Sequence, residues 1–242
     1  PKLEWDSSVP NVGLSGDRFY RPMQTLGDYI PYTGAVMSID PSGRGKDETA
    51  FSVVKMLNGY LYVPDGGGMQ GGYGEDTLKA LAIKAKQHKV NAIVVESNFG
   101  DGMFVELFKP ILTKIHPCTV EEVRHNTQKE RRIIDTLEPV MNQHKLVIDP
   151  KVIKDDYESA QRYPNDSQLK YQLIYQLSRL TAQRGAITHD DRLDALSMAV
   201  AYWTEQMAQD ADRRMGDRKQ DLLKEELDKF MNNFNKSGNS WL

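Results

Sequence analysis

Five acids in this sequence have the types and settings that could gather around a cation: Asp40, Glu96, Asp190, Asp191 and Asp194. The last three fall in the stretch ITHDDRLDALSMAV, Ile187 to Val200. A helix start accommodates one or two acids, because its free N–H groups and dipole favour negative charge. Three acids, beside His189 and ahead of an apolar helical face, exceed what capping needs. Asp190 fits the N-cap, while Asp191 and Asp194 are spaced to share a helix face. Asp40 closes the apolar run GAVMSID, and Glu96 lies at the end of the apolar run VNAIVVES. Gathered carboxylates raise one another's pKa unless cations neutralise them. Hard oxygen ligands of this kind suit Mg²⁺ or Mn²⁺. Two such ions about 3.5–4 Å apart can activate a water and stabilise the leaving oxygen in phosphodiester cleavage. Taken singly, each acid has an ordinary explanation. Asp40 precedes Pro41 and could be a turn residue, and Glu96 could pair with a lysine. The combination is far more specific than any member.

The elements that must position these acids are legible in outline. Residues 1–32 are rich in Pro, Gly, Ser and Asp and read as an irregular linker. GAVMSID, AFSVVKML and GYLYVPDGG then read as a meander of three strands. Leu78, Leu81, Ala82 and Ala85 recur at helical spacing within Glu75 to His88. VNAIVVES is continuously apolar, as expected of a strand buried on both faces. A helix is predicted over Met103 to Ile115, a strand at CTVEEVR, a helix in TQKERRIIDTLEPVMNQ and a short strand at KLVID. SQLKYQLIYQLSRL reads as one helix, and another runs from Asp190 to about Gln209. The rest, to Leu242, is charged and low in aliphatics, a solvated helix plus a loose tail. Strands first, then alternation with helices, give an α/β class with a mixed sheet flanked by helices. Functional groups in such sheets gather at the carboxyl ends of strands. If the strands of Asp40 and Glu96 are neighbours, and the late helix opened by Asp190, Asp191 and Asp194 packs over their ends, the acids meet.

Basic residues flank these positions. PSGRGKDET carries Arg44 and Lys46, with Asp47 as an accessory acid, in what could equally be an ordinary hairpin loop. HNTQKERRI places Lys129, Arg131 and Arg132 at a helix start. Lys129 and Arg132 share a face there and could hold backbone phosphates, although a solvated face is the commoner reason for such a run. VPDGGGMQGGYGED reads as a flexible glycine-rich loop; it lacks the Lys-Ser/Thr ending of a phosphate-binding loop. His189 reads as a local hydrogen-bonding residue. Net charge is −3, which argues mildly against a general nucleic-acid binder but allows a local basic groove. One cysteine, Cys118, excludes an internal disulfide and a cysteine-built zinc site, and suggests a reducing setting. No apolar run reaches the ~18–20 residues of a membrane span.

Four blocks, in order, carry a family resemblance: SIDPSGRGKDETAFSVV, AIVVESNFGDGMF, QKERRIIDTLEPVM and HDDRLDALSMAV. Together they resemble the nuclease domain of the large terminase subunit of tailed bacteriophages, and most of all the DNA maturase B type of podovirus-like phages. The likeness covers roughly residues 33–205. It implies an RNase H-like fold, whose mixed sheet opens with three antiparallel strands. It also implies a metal-dependent endonuclease that cuts concatemeric double-stranded viral DNA into genome units during packaging. Asp40, Glu96 and Asp191 match the family's catalytic, metal-binding acids, with Asp194 the close alternative or companion ligand and Asp47 an auxiliary acid. Arg44, Lys46, Lys129, Arg131 and Arg132 are the candidate DNA contacts. The implied cofactors are Mg²⁺ or Mn²⁺ in a two-metal site. The implied partners are DNA, an N-terminal ATPase motor, the portal or procapsid, and the small terminase subunit. The implied place of action is the host cytoplasm, at the procapsid portal, with no membrane. No Walker A sequence occurs in this chain, so the resemblance is to the C-terminal half of such a machine. The expected division is a linker at 1–32, the nuclease domain at 33–209 and a charged tail at 210–242.

Two rival readings follow from the same residues. An actin-like ATPase also opens with a strand ending in an acid and a glycine hairpin, but it needs a second phosphate loop where this chain has VESNFGDG. A catalytically silent module that docks on DNA or the portal would not need all the acids. The charged segment after about residue 209 is a candidate docking arm under either reading.

Overall fold

The structure, a computed structural model, describes residues 2–9, 14–16, 18–24, 27–42, 48–97 and 102–238. The chain divides into two compact units, residues 1–202 and residues 203–242.

The first unit is built on a six-stranded mixed sheet. Strand β3 (Gly34–Asp40) pairs antiparallel with β4 (Thr49–Leu57), and β4 with β5 (Tyr60–Met69). Strand β6 (Ala92–Glu96) pairs parallel with β3, and β7 (Thr119–Val123) parallel with β6. Strand β8 (Leu146–Ile148) joins β5 in parallel, giving the order β7-β6-β3-β4-β5-β8. The predicted meander and the buried parallel strand are therefore adjacent at the centre. β6 is buried throughout, as its unbroken apolar run requires.

Residues alternate between the two faces of each strand. One face presents Met37, Ile39, Phe51, Val53, Ile93 and Val95. Against it pack helices α1 (Glu75–His88), through Leu78, Leu81 and Ala85, and α2 (Met103–Ile115), through Phe104, Phe108 and Leu112. Asp65 on β5 ties α1 to the sheet from a buried position. Lys84 Nζ donates to its Oδ2 at 2.7 Å, and His88 Nε2 lies 3.0 Å from the same oxygen. On the opposite face lies the start of α6 (Asp191–Gly238), where Ser38 Oγ donates to the Ala195 carbonyl. Helix α3 (Lys129–Asn142) precedes β8, and α4 (Pro150–Ala160) follows it.

Four local readings change in three dimensions. The linker contains a short antiparallel ribbon, β1 (Leu3–Trp5) with β2 (Tyr20–Pro22). The glycine-rich stretch is not all loop: Gly66, Gly67 and Gly68 lie within β5 and pair with Ser52, Phe51 and Ala50. Helix α4 has no predicted counterpart, although Asp149 caps it by accepting from the Lys151 N–H at 2.8 Å and Pro150 opens it. The predicted helix through SQLKYQLIYQLSRL is broken into a 3-10 turn (Gln168–Tyr171) and α5 (Leu173–Arg179). The break has a physical cause. The buried Asp156 carboxylate takes the first two N–H groups of α5, from Leu173 at 2.8 Å and Ile174 at 3.3 Å, and so starts a new helix there.

The second unit, residues 203–242, holds the rest of α6, which runs as helix to Gly238. The solvated helix therefore extends past Gln209 through most of the predicted loose tail. No helix among the described residues is long and apolar enough to cross a membrane.

Candidate metal centre

Strand register decides which carboxylates meet. β3 and β6 run parallel with Ser38 beside Val94 and Ile39 beside Val95. One step further, Asp40 and Glu96 end the two strands side by side. Alternation puts both on the face of Ser38, where α6 lies. The first turn of α6 adds Asp194, which is fully buried. One oxygen from each of Asp40, Glu96 and Asp194 lies within 4.8 Å of the others.

Three acids this close in a buried place are electrostatically costly, and their protonation reflects it. Burial pushes the Asp40 carboxyl well above the ordinary carboxylate range; Lys129 opposes the rise, and Asp194, Glu96 and Asp191 add to it. Burial raises Glu96 as well, with Asp194 reinforcing the shift. Two cations from the start of α3 offset part of the charge. Lys129 Nζ lies 2.8 Å from Asp190 Oδ1, 3.0 Å from Asp194 Oδ2 and 3.6 Å from Asp40 Oδ2. Burial alone would lower the Lys129 pKa, but Asp194, Asp40 and Asp190 outweigh it and hold the ammonium charged. Arg132 Nη2 donates to Asp194 Oδ2 at 3.0 Å and lies 3.8 Å from Glu96 Oε1.

The residues present fit a hard divalent cation. Asp40 Oδ2 and Asp194 Oδ1 are buried and accept no well-directed hydrogen bond among the described residues; each faces a cation only as an ion pair, Lys129 Nζ at 3.6 Å and Arg132 Nη2 at 2.9 Å. Buried carboxylate oxygens short of hydrogen bonds are expensive. An oxygen-seeking divalent ion would satisfy them and relieve the repulsion at once.

The predicted residues fall out as follows. Asp40, Glu96 and Asp194 are brought together. Asp191 stands outside that close group, near enough to raise Asp40. The Asp190 carbonyl accepts the Asp194 N–H at 2.8 Å, while its side chain holds Lys129. Lys129 and Arg132 share a face, as their spacing implies, and that face is turned onto the acids. Arg131 is exposed on another side of α3. His189 stacks on Tyr171, ring centroids 4.2 Å apart. Arg44, Lys46 and Asp47 lie outside the described residues.

Behind the centre stands a buried network that the sequence did not disclose. Arg192, fully buried, donates from Nε and Nη2 to Glu48 at 2.5 and 2.9 Å. Its Nη1 donates to Asp156 Oδ1 and to Ser159 Oγ, both at 2.8 Å. Tyr163 O–H donates to Glu48 Oε2 at 2.8 Å. Gln176 Oε1 accepts the Leu193 N–H at 3.0 Å and so caps α6 from a distant part of the chain. One local signal was available: Arg192 interrupts HDDRLDAL on the way into an apolar helix. In the fold, Gly68 leaves the room that Glu48 occupies: a Cβ there would fall on the Glu48 carboxyl group.

Residues 39–146 match the family model described as the terminase ribonuclease H-like domain of bacteriophage T7. The chain is similar to the terminase large subunit of Enterobacteria phage T3, 45% identical over 206 residues. That match covers 85% of this chain and 35% of the T3 protein, so the chain spans about a third of that relative's length. Among solved structures it is similar to the human cytomegalovirus terminase nuclease domain, Mn-soaked and inhibitor-bound. The TM-score is 0.50 at 13% identity, over 70% of this chain and 82% of that one. At that identity the likeness speaks for the fold, and it agrees with a mixed six-stranded RNase H-like sheet flanked by helices.

Proposed function

We propose that this chain is the nuclease part of a phage large terminase subunit, a metal-dependent endonuclease acting on double-stranded DNA; its match to the terminase RNase H-like family over residues 39–146 and its 45% identity to the T3 large subunit support the reading. Its task in this reading is to cut concatemeric DNA into genome units. The observation that supports the reading most is the convergence of Asp40, Glu96 and Asp194 within 4.8 Å. An actin-like ATPase would need a second glycine-rich phosphate loop after a later strand, whereas here Glu96 closes β6 beside the strand of Asp40.

Asp40, Glu96 and Asp194 are assigned as ligands, with Asp191 the ligand completing a two-cation site beside Asp40. Bound Mg²⁺ or Mn²⁺ would supply charge to the scissile phosphate and its leaving oxygen and lower the pKa of water. The chain's own contribution is placement. The parallel pair β3 and β6 fixes two carboxylates rigidly, and α6 brings the third. Lys129 and Arg132 hold the acids close before a cation arrives and oppose the rise in their pKa values, because attraction to their charges offsets part of the mutual repulsion. As cations load, both side chains become available to backbone phosphates beside the centre. Arg131, already exposed, is a further phosphate contact. Contacts of this kind carry no direct base readout, so cutting is expected to be largely independent of sequence.

An ATPase motor, the small terminase subunit and the portal or procapsid are the partners proposed for the longer protein, acting in the host cytoplasm. The second unit is proposed as an arm that docks on the portal or procapsid. Its helix exposes Met215, Leu222 and Leu223 among charged residues.

The direct test is supercoiled plasmid incubated with the chain in Mg²⁺, in Mn²⁺ or in EDTA. Nicking should require the cation and should fall by at least about 100-fold in Asp40→Ala, the scale expected for loss of a group that acts on the transition state. Undiminished cleavage by Asp40→Ala would reject the site.

A further inference from the structure

Helix α6 carries a metal-ligand candidate at its very start, where helices ordinarily fray. In this chain that end is held by groups remote in sequence. Arg192 is fully buried between Glu48, at the head of β4, and Asp156 on α4. Glu48 is fixed in turn by the Tyr163 hydroxyl and by the bare backbone of Gly68. Asp156 is fixed by the Leu173 and Ile174 N–H groups and by the Arg192 guanidinium. Gln176, fully buried, takes the Leu193 N–H. Just ahead of the helix, His189 stacks on Tyr171, which stacks on Tyr163 with centroids 3.6 Å apart. The residues before and after Asp190 and Asp191 are thus gripped by one body, residues 150–179, together with Glu48.

A buried ion network is a weak source of net stability, because desolvation offsets most of its attraction. It is a strong source of geometry, since a guanidinium fork accepts few arrangements. Arg192 bonds to Glu48, Asp156 and Ser159, and none of Asp40, Glu96 or Asp194 is among its hydrogen bonds and ion pairs.

We infer that Arg192, with Glu48 and Asp156, is a positioning device for the metal centre: it sets where Asp194 stands relative to Asp40 and Glu96, and thereby the affinity for the divalent cation. This deepens the nuclease reading and rests on it. Helix α4, the 3-10 turn and α5 are then a buttress for the last acid, lying beyond the residues 39–146 that match the family model.

The test measures Mn²⁺ binding to the full chain by calorimetry, without DNA, for wild type, Arg192→Lys, Glu48→Gln and Tyr163→Phe. Circular dichroism and thermal melting on each variant select those that remain folded. Arg192→Lys keeps the charge and loses the fork, and Glu48→Gln keeps the size and loses the charge. Each should weaken Mn²⁺ binding by roughly 10–100-fold, the range seen when groups supporting metal ligands are altered. Tyr163→Phe removes one hydrogen bond from Glu48, keeps the ring stack, and should weaken binding by a smaller factor in a folded protein. In plasmid nicking, raising Mn²⁺ should restore most of the lost rate, while the KM for DNA stays at the wild-type value. Folded variants, Tyr163→Phe among them, that bind Mn²⁺ as tightly as wild type would overturn the inference and leave the nuclease reading standing. A wild-type chain that binds no Mn²⁺ would overturn both.

Discussion

At the scale of residues, the centre is a balance between repulsion and two local cations. Asp40 and Glu96 are raised in the fold, chiefly by burial and then by neighbouring acids. A folded chain with raised carboxyl pKa values binds more protons than the unfolded one. Their contribution to stability is therefore fullest below the ordinary carboxylate range and is lost as pH rises through the raised values. Asp65 has the opposite sign. Burial pushes it up, but hydrogen bonds from His88 and Lys84 outweigh burial and hold it below its usual value. Its contribution is present above the ordinary range and is lost as pH falls through the depressed value. Asp40→Asn should then raise the melting midpoint of the metal-free protein at neutral pH, by about 2–4 °C for each kcal/mol of relieved charge. The gain should shrink on acidification, as wild-type Asp40 becomes protonated. Melting curves in EDTA across pH 4–8 would show it, and a gain that does not vary with pH would contradict the assignment. With saturating Mn²⁺ the order should reverse, because the variant has lost a ligand.

At the scale of elements, β4, β5 and the first turn of α6 are fitted around one acid, Glu48, that is not in the close metal group. Glu48 occupies space that only a glycine at position 68 leaves open. Arg192 and Tyr163 prevent it from swinging aside. Gly68→Ala should therefore cost about 1–3 kcal/mol, the usual penalty for overpacking a filled interior. The melting midpoint should fall by several degrees, and the Mn²⁺ affinity should fall with it. Gly59 gives the contrast. It adopts positive φ at the β4–β5 turn with open space around it, so substitution there strains the turn and leaves Glu48 undisturbed.

At the scale of the whole molecule, the two units have different compositions and different proposed work. The first holds the sheet, the core and the acids. The second is a charged helix whose described side chains are mostly exposed. Removing residues 210–242 should leave metal-dependent nicking within about twofold of wild type, since changes to exposed helix ordinarily cost little stability. The same truncation should abolish co-sedimentation with procapsids or portal. Loss of nicking together with loss of cooperative melting would make the segment part of the nuclease fold.

The sequence by itself determined the elements that have a period. Apolar alternation and 3.6-residue spacing are local properties, so β3 to β8 and helices α1, α2 and α3 could be read with boundaries close to those observed. It also marked Asp40 and Glu96, because strand-end carboxylates after apolar runs are conspicuous; the family resemblance favoured Asp191 as the third acid, and the one in the close group is Asp194. Choosing among Asp190, Asp191 and Asp194 was beyond it. All three sit within one turn, and which one meets Asp40 depends on how α6 is rotated against the sheet. That rotation is set by Arg192, Glu48, Asp156 and Gln176, whose sequence separations of 36 and 144 residues for the two ion pairs leave no local pattern. Lys129 and Arg132 likewise read as a phosphate-binding face, and only the packing of α3 turned that face onto the acids. A charge has no periodicity to mark its partner. Its burial and its pairing exist only once the chain has closed around it.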